Sequence, residues 1–151
     1  MEDTDRSWLA AVLDCDGTIG FEKIKLNRIY PSLSIFNTNE ELVKKASKLL
    51  GSNVTNQKHS YGHFGKKIIY FTRTRKKKNI VNILTQIISY LIIKKEKAEL
   101  ILAYYKEKEE LTKLYGFHIR KKRPKIIDNF YVKYINYSRT PSNPPKPLVD
   151  R

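Results

Sequence analysis

Asp14 and Asp16 are the residues of this chain best placed to do chemistry, because they end the otherwise apolar run Trp8-Leu-Ala-Ala-Val-Leu-Asp-Cys-Asp-Gly-Thr-Ile19. An apolar segment has little structural use for charge at its end. Carboxylate oxygens at D-x-D-G spacing suit a hard divalent cation, Mg²⁺ in the first instance. The pair therefore points to a metal site and leaves the reaction open.

The charge balance narrows the partner. Thirty Lys and Arg against fifteen Asp and Glu give a formal net charge of +15, a field that attracts polyanions. The excess is uneven. Residues 1–22 carry Glu2, Asp3, Asp5, Asp14, Asp16 and Glu22 against Arg6 alone, whereas Lys66, Lys67, Arg73, Arg75, Lys76, Lys77 and Lys78 form a stretch with no acid. A second basic block runs Arg120, Lys121, Lys122, Arg123, Lys125. A single such run is as often a solvated face; two of them beside a candidate metal site favour nucleic acid.

Several elements must position these groups. With 151 residues and 40% apolar content the chain can bury one core, so residues 1–137 are expected to form a single domain. Pro141, Pro144, Pro145 and Pro147 mark 138–151 as an extended or disordered tail. Cys15 is the only cysteine, so no disulfide forms within the chain and a reducing, intracellular setting is expected. Met1 to Asp5 is acidic, unlike the start of a signal peptide, and Ile80 to Ile93 is broken by Asn82, Gln86 and Ser89; the expectation is a chain neither secreted nor in a membrane.

Along the chain, the motif run is expected to be a helix starting at Arg6 or Ser7 and ended by Gly17 and Gly20. Strands are predicted from Thr18 to about Lys25 and from Arg28 to Asn37, where Ile29, Leu33 and Ile35 share one face and Arg28, Tyr30, Ser32 and Ser34 the other. Thr38-Asn39-Glu40-Glu41 has capping-box form, followed by Leu42, Val43, Ala46, Leu49 and Leu50 at helical spacing up to Gly51. Two further strands, Asn53–Lys58 and Lys67–Thr74, flank a Gly62 and Gly65 loop with His59 and His63. Asn79 is expected to cap a helix carrying Ile80, Leu84, Ile87, Ile88 and Leu91, and Lys94–Leu114 to form another. A short amphipathic helix from Pro124 would carry Ile127, Phe130, Tyr131, Tyr134 and Tyr137. The fold class is therefore α+β, with an antiparallel four-stranded sheet built from a repeated β-β-α unit and C-terminal helices.

Two families share the motif string. Val12 to Ile19 (V-L-D-C-D-G-T-I) looks like the first motif of haloacid-dehalogenase-type phosphatases, in which a buried strand delivers a nucleophilic Asp. Those enzymes also need a downstream acidic pair, and past the motif this chain has only Asp128 and Asp150. Leu9 to Gly17 (L-A-A-V-L-D-C-D-G) resembles the L-A-G-L-I-D-A-D-G signature of homing endonucleases, matching at Leu9, Ala10, Asp14, Asp16 and Gly17. The strand and helix order agrees with that second family, and the resemblance covers residues 7 to about 115.

The resemblance implies a saddle-shaped sheet over double-stranded DNA and, with one motif per chain, a homodimer that cuts a long pseudo-palindromic site. The motif helices of the two subunits would pack together through Leu9, Ala10, Ala11, Leu13, Asp14 and Gly17. Asp16, with the backbone carbonyl of Cys15, would hold Mg²⁺. Asp14 would cap or bond the partner's motif helix. Asn37, at the end of the second strand, would order the attacking water. Lys94 would offset phosphate charge, since Leu91-Ile-Ile-Lys-Lys-Glu-Lys-Ala-Glu-Leu100 is similar to the family's F-L-K-L-K-Q-K-Q-A-N-L stretch. Bases would be read by Arg28, Tyr30, Ser32 and Ser34, with Glu22, Lys23, Lys25, Asn56, Gln57, Lys58, Arg73 and Arg75 as further contacts. Ile68 to Phe71 are contiguous and leave the parity of the fourth strand open. Lys76, Lys77, Lys78, Lys121, Lys122 and Arg123 would bind phosphates. An intron maturase that binds RNA, or a DNA-binding repressor, would use the same scaffold without cutting.

Overall fold

The apolar run that ends in Asp14 is helical, which separates the two readings of the motif: a phosphatase would need a strand there. In the computed structural model, which describes residues 1–24, 28–60 and 66–115, the order is α1 (Asp3–Cys15), β1 (Gly17–Ile24), β2 (Arg28–Asn37), α2 (Glu40–Leu50), β3 (Val54–Ser60), β4 (Lys66–Thr74), α3 (Lys77–Ile87) and α4 (Lys95–Tyr115). Lys25, the loop with Gly62, His63 and Gly65, Asp128, the block Lys121–Arg123, the helix expected from Pro124 and the tail 138–151 lie outside the described residues.

The four strands form one antiparallel sheet in the order β1-β2-β4-β3. Pairings Ile19 with Leu33, Ile35 with Thr72, and Thr72 with Val54 place these residues on one face, and the helices cover it. Leu9, Leu13, Ile19, Leu33, Ile35, Leu50, Ile80, Leu84, Ile87 and Ile101 are fully buried there, each contributing about 1.5–3 kcal/mol. Phe21 meets Tyr104 edge-on, ring centroids 5.4 Å apart, which ties β1 to α4. α3 presents Ile80, Ile83, Leu84 and Ile87 at i, i+3, i+4 and i+7 to this core. Among the described residues no helix is long and apolar enough to cross a membrane.

Several boundaries differ from the sequence expectation. α1 starts at Asp3, a turn early; Asp3 and Asp5 suit the positive end of the helix dipole, and Arg6 pairs with Asp3 at 2.9 Å. Gly20 lies within β1, paired with Ser32, and takes no part in ending α1. Asn39, not Thr38, caps α2 by accepting from Leu42 N at 3.1 Å. Glu41 pairs with Lys44 rather than reaching back, while Gly51 ends α2 at φ 60°. α3 begins at Lys77 with Lys76 as its cap residue. Asn79 instead donates to the carbonyls of Leu50 and Gly51, closing the end of α2.

Candidate functional site

A helix that carries two carboxylates at its C-terminal end sets charge of the wrong sign against its own dipole, and the last turn of α1 holds no basic residue. The compensation comes from the α3–α4 connection. Lys94 Nζ donates to the carbonyls of Leu13, Asp14 and Gly17 at 2.6, 2.7 and 2.8 Å. An ammonium has three protons, so all its donors are engaged. Burial pushes this ammonium below the ordinary lysine pKa; the Asp14 carboxylate opposes that shift and the Lys97 charge adds to it. Lys94 therefore closes the end of α1 from behind, with its three protons on backbone carbonyls.

Asp14 is buried, 8% exposed, and serves its own chain. Its Oδ2 accepts from Ile92 N at 2.7 Å and Ile93 N at 3.2 Å, and Oδ1 accepts from Lys94 N at 2.9 Å. The Lys94 carbonyl accepts the Ala98 N–H, so Asp14 holds the N–H of the residue that caps α4 and those of the two residues before it. The expected capping of a partner's helix is corrected accordingly. Gly17 is explained by its own chain as well: a Cβ there would lie 2.7 Å from Leu13 Cα and 2.7 Å from Leu13 Cδ2.

Asp16 emerges from this braced turn exposed to solvent, its N–H bonded to Val12 O at 2.9 Å. Asn37 Nδ2 donates to Asp16 Oδ2 at 2.8 Å, and Asn37 Oδ1 accepts from Asn39 N at 2.8 Å. A chain of hydrogen bonds thus runs from the start of α2 to the carboxylate. The two residues stand 21 apart in sequence, and the β1–β2 pairing brings them together by setting Gly17 opposite Ile35. No group of three His, Cys, Asp or Glu suited to a metal occurs among the described residues. Asp16 and the Cys15 carbonyl, to which Lys94 does not donate, are hard oxygen atoms of the kind that would suit Mg²⁺, an ion that habitually fills its shell with water and substrate phosphate.

The sheet face turned away from the helices holds Glu22, Tyr30, Ser32, Ser34, Phe36, Ile69, Phe71 and Arg73, because Ser34 pairs with Arg73 and Phe36 with Phe71. That register settles the parity of β4. Ser32 and Ser34, expected to read bases, are 0% and 1% exposed; Glu22, Arg73 and Arg75 gather over this part of the face instead. Glu22 Oε2 accepts from Arg75 Nε at 2.9 Å and Nη2 at 2.7 Å, and Oε1 lies 3.0 Å from Arg73 Nε. Phe36 and Phe71 stack at 5.5 Å, with the Arg73 guanidinium 5.8 Å from each ring. Sequence reading missed the two aromatics, whose signal was the same alternation that placed Ser34. Asn56 pairs with Tyr70 and so has the parity of the helix side; Thr55, opposite Phe71, takes the outer position. Lys23, Arg28, Gln57 and Lys58 lie in strands. Lys76, Lys77 and Lys78 are exposed at the start of α3, with Lys77 paired to Glu109.

The expected interface residues separate into two groups. Leu9, Ala10 and Leu13 are fully buried in the chain's own core and Asp14 is bonded within its own chain, which corrects these four; Gly17 is half-buried. Ala11 is exposed, on a strip of α1 with Thr4, Ser7 and Cys15.

No protein-family model matches the chain, and no curated protein does. Solved structures do. The homing endonuclease I-CvuI in complex with the I-CreI target in the presence of Mg is 18% identical, with 95% of this chain and 85% of that chain covered at a TM-score of 0.64. I-CvuI with its own target and Ca is 19% identical over 95% and 89%, again at 0.64. The archaeal intron-encoded homing endonuclease I-Vdi141I complexed with DNA is 15% identical over 93% and 87%, at 0.65. At this coverage and TM-score, this chain has the single-motif LAGLIDADG-type fold of the homing endonucleases.

Proposed function

We propose that this protein is a site-specific endonuclease that cuts both strands of a long pseudo-palindromic DNA site as a homodimer. The observation that carries the reading is the exposed Asp16 carboxylate, held 2.8 Å from Asn37 at the end of a turn closed by Lys94. Each chain offers one such carboxylate, and a duplex break needs two phosphodiesters hydrolysed, so two copies complete the site. The strip Thr4, Ser7, Ala11 and Cys15 lets two α1 helices approach closely. Beside it, Ile92 and Ile93 are 87% and 64% exposed on backbone that Asp14 holds against the end of α1, and they extend that contact with apolar surface.

Asp16 and the Cys15 carbonyl would hold Mg²⁺, which when bound acidifies water and offsets charge on the phosphate. Asn37 keeps the Asp16 carboxylate in one orientation, because its own amide oxygen is tied to Asn39. Lys94 keeps the carbonyls of the turn from shifting as charge develops in front of them. The sheet face supplies DNA contacts through Tyr30, Arg73 and Arg75, and Lys76 to Lys78 add phosphate contacts that increase affinity without reading sequence.

The test is cleavage selection: incubate the purified protein and Mg²⁺ with a pool of randomised duplex and sequence the ends. The expected result is a pseudo-palindromic consensus with staggered breaks, abolished by Asp16→Asn with binding retained. Binding without cleavage at any metal tried would reject the nuclease and leave a repressor or, if intron RNA binds instead, a maturase.

A further inference from the structure

The outer sheet face contains one group that is organised more tightly than phosphate binding requires. Arg73 has its guanidinium 5.8 Å from both the Phe36 and Phe71 ring centres, and its Nε is 3.0 Å from Glu22. That approach is too oblique to count as a hydrogen bond, since Nε has no hydrogen-bond partner, so the contact is ionic. Glu22 is bound from its other oxygen by Arg75 and cannot easily swing away. Both Nη donors of Arg73 remain without a partner among the described residues.

A phosphate contact gains little from such bracing, because a flexible cation follows the backbone wherever it runs. Base reading gains a great deal. The Nη pair is the planar fork that matches guanine O6 and N7 in the major groove, and a fork already held in place loses less freedom on binding. A recess of about 320 Å³, lined by Ser52, Thr55, Phe71, Arg73 and Arg75, opens beside it and gives a base edge room to approach.

We infer that Arg73, braced by Phe36, Phe71 and Glu22, is a specificity-determining residue that selects guanine at one position of each DNA half-site. The inference rests on the duplex-DNA reading above and adds to it a named residue and a named base. Glu22 acts through Arg73 and is a positioning residue.

The experiment is binding selection from randomised duplex with the full-length protein, Arg73→Gln and Glu22→Gln, without cleavage, in Ca²⁺. The wild type should enrich a guanine in each half-site that Arg73→Gln loses, with adenine favoured in its place because a carboxamide matches adenine N6 and N7. Discrimination at that position should fall on the order of 10- to 100-fold, the other positions being kept. Glu22→Gln should keep guanine as the preferred base and lower its preference several-fold. A consensus that Arg73→Gln leaves intact, or one in which the lost position is not guanine, overturns the inference and spares the DNA reading. So does a uniform loss of affinity with a salt slope lower by about one, which marks a phosphate contact. A wild-type protein that enriches no duplex sequence overturns both.

Discussion

The end of α1 and the open face of the sheet both carry charge, and they hold it in opposite ways. At the end of α1 the bonds run from side chain to backbone: Asp14 to three N–H groups, Lys94 to three carbonyls. On the sheet, Glu22, Arg73 and Arg75 hold one another through side chains alone, with Phe36 and Phe71 alongside. Backbone partners fix position, since they can move only if an element moves. Side-chain partners fix orientation while leaving each residue free to change between related proteins. A turn that must place Asp16 to a fraction of an ångström suits the first kind, and a surface that must match a nucleotide sequence suits the second.

If that contrast is right, Asp14→Ala is the most damaging stability change outside the apolar core. It strands the N–H groups of Ile92, Ile93 and Lys94 in a part-buried site and leaves the Lys94 ammonium without its nearest opposite charge. We expect a loss of about 3–5 kcal/mol, read as the shift in urea unfolding midpoint at constant slope. A loss under about 1 kcal/mol would break the comparison, because the turn would then be no better secured than the surface.

Gly17→Ala probes the same region by steric means. The added methyl would meet the Leu13 backbone at 2.7 Å, and backbone in a helix that Lys94 clamps has nowhere to go. The expected cost is about 1–3 kcal/mol, checked by thermal unfolding. Because Gly17 follows Asp16, the same variant should also displace the carboxylate, seen as loss of cleavage beyond what the remaining folded fraction explains.

Parts of this contrast were legible in the sequence, for reasons that follow from periodicity. β2 was found at its true limits because Ile29, Leu33 and Ile35 alternate with polar residues, and α2 was found because Gly51 supplies a left-handed stop. The proximity of Asp16 and Asn37 was reached through the motif resemblance, and pairing of β1 with β2 delivers it. Alternation tells which residues share a face and is silent about what lies over that face. Alternation alone makes Ser32 and Ser34 look accessible, although Arg73 stands directly opposite Ser34 on β4 with Arg75 two positions further along the chain. Contiguous Ile68, Ile69, Tyr70 and Phe71 hid the parity of β4, which only pairing with β2 supplies. Leu9, Ala10 and Leu13 were assigned to an interface because the motif resemblance says that such helices pack together. Their burial in the chain's own core follows from the rotation of α1 about its axis, which packing against the rest of the core determines. Its place just before Ile80 makes Asn79 look like a helix cap, but it lies inside α3, and its reach to the end of α2 is a long-range contact with no local signal.

The smallest effect expected on stability is that of Glu22→Gln, and it tests the other half of the comparison. Glu22, Arg73 and Arg75 are all part-exposed, and ion pairs in that setting contribute about 0–1 kcal/mol each. Losing the charge also relieves Glu22 of partial desolvation, and a carboxamide oxygen still accepts from Arg75, so the urea midpoint should shift by less than about 1 kcal/mol of stability. The sheet face would then be a layer that the core does not need in order to fold, which leaves its residues free to follow whatever sequence the protein recognises. A shift above about 2 kcal/mol would mean that the buried hydroxyls of Ser32 and Ser34 depend on the charged layer for their packing. In that event the face could not change one residue at a time, and its side chains would be as tightly constrained as the turn that carries Asp16.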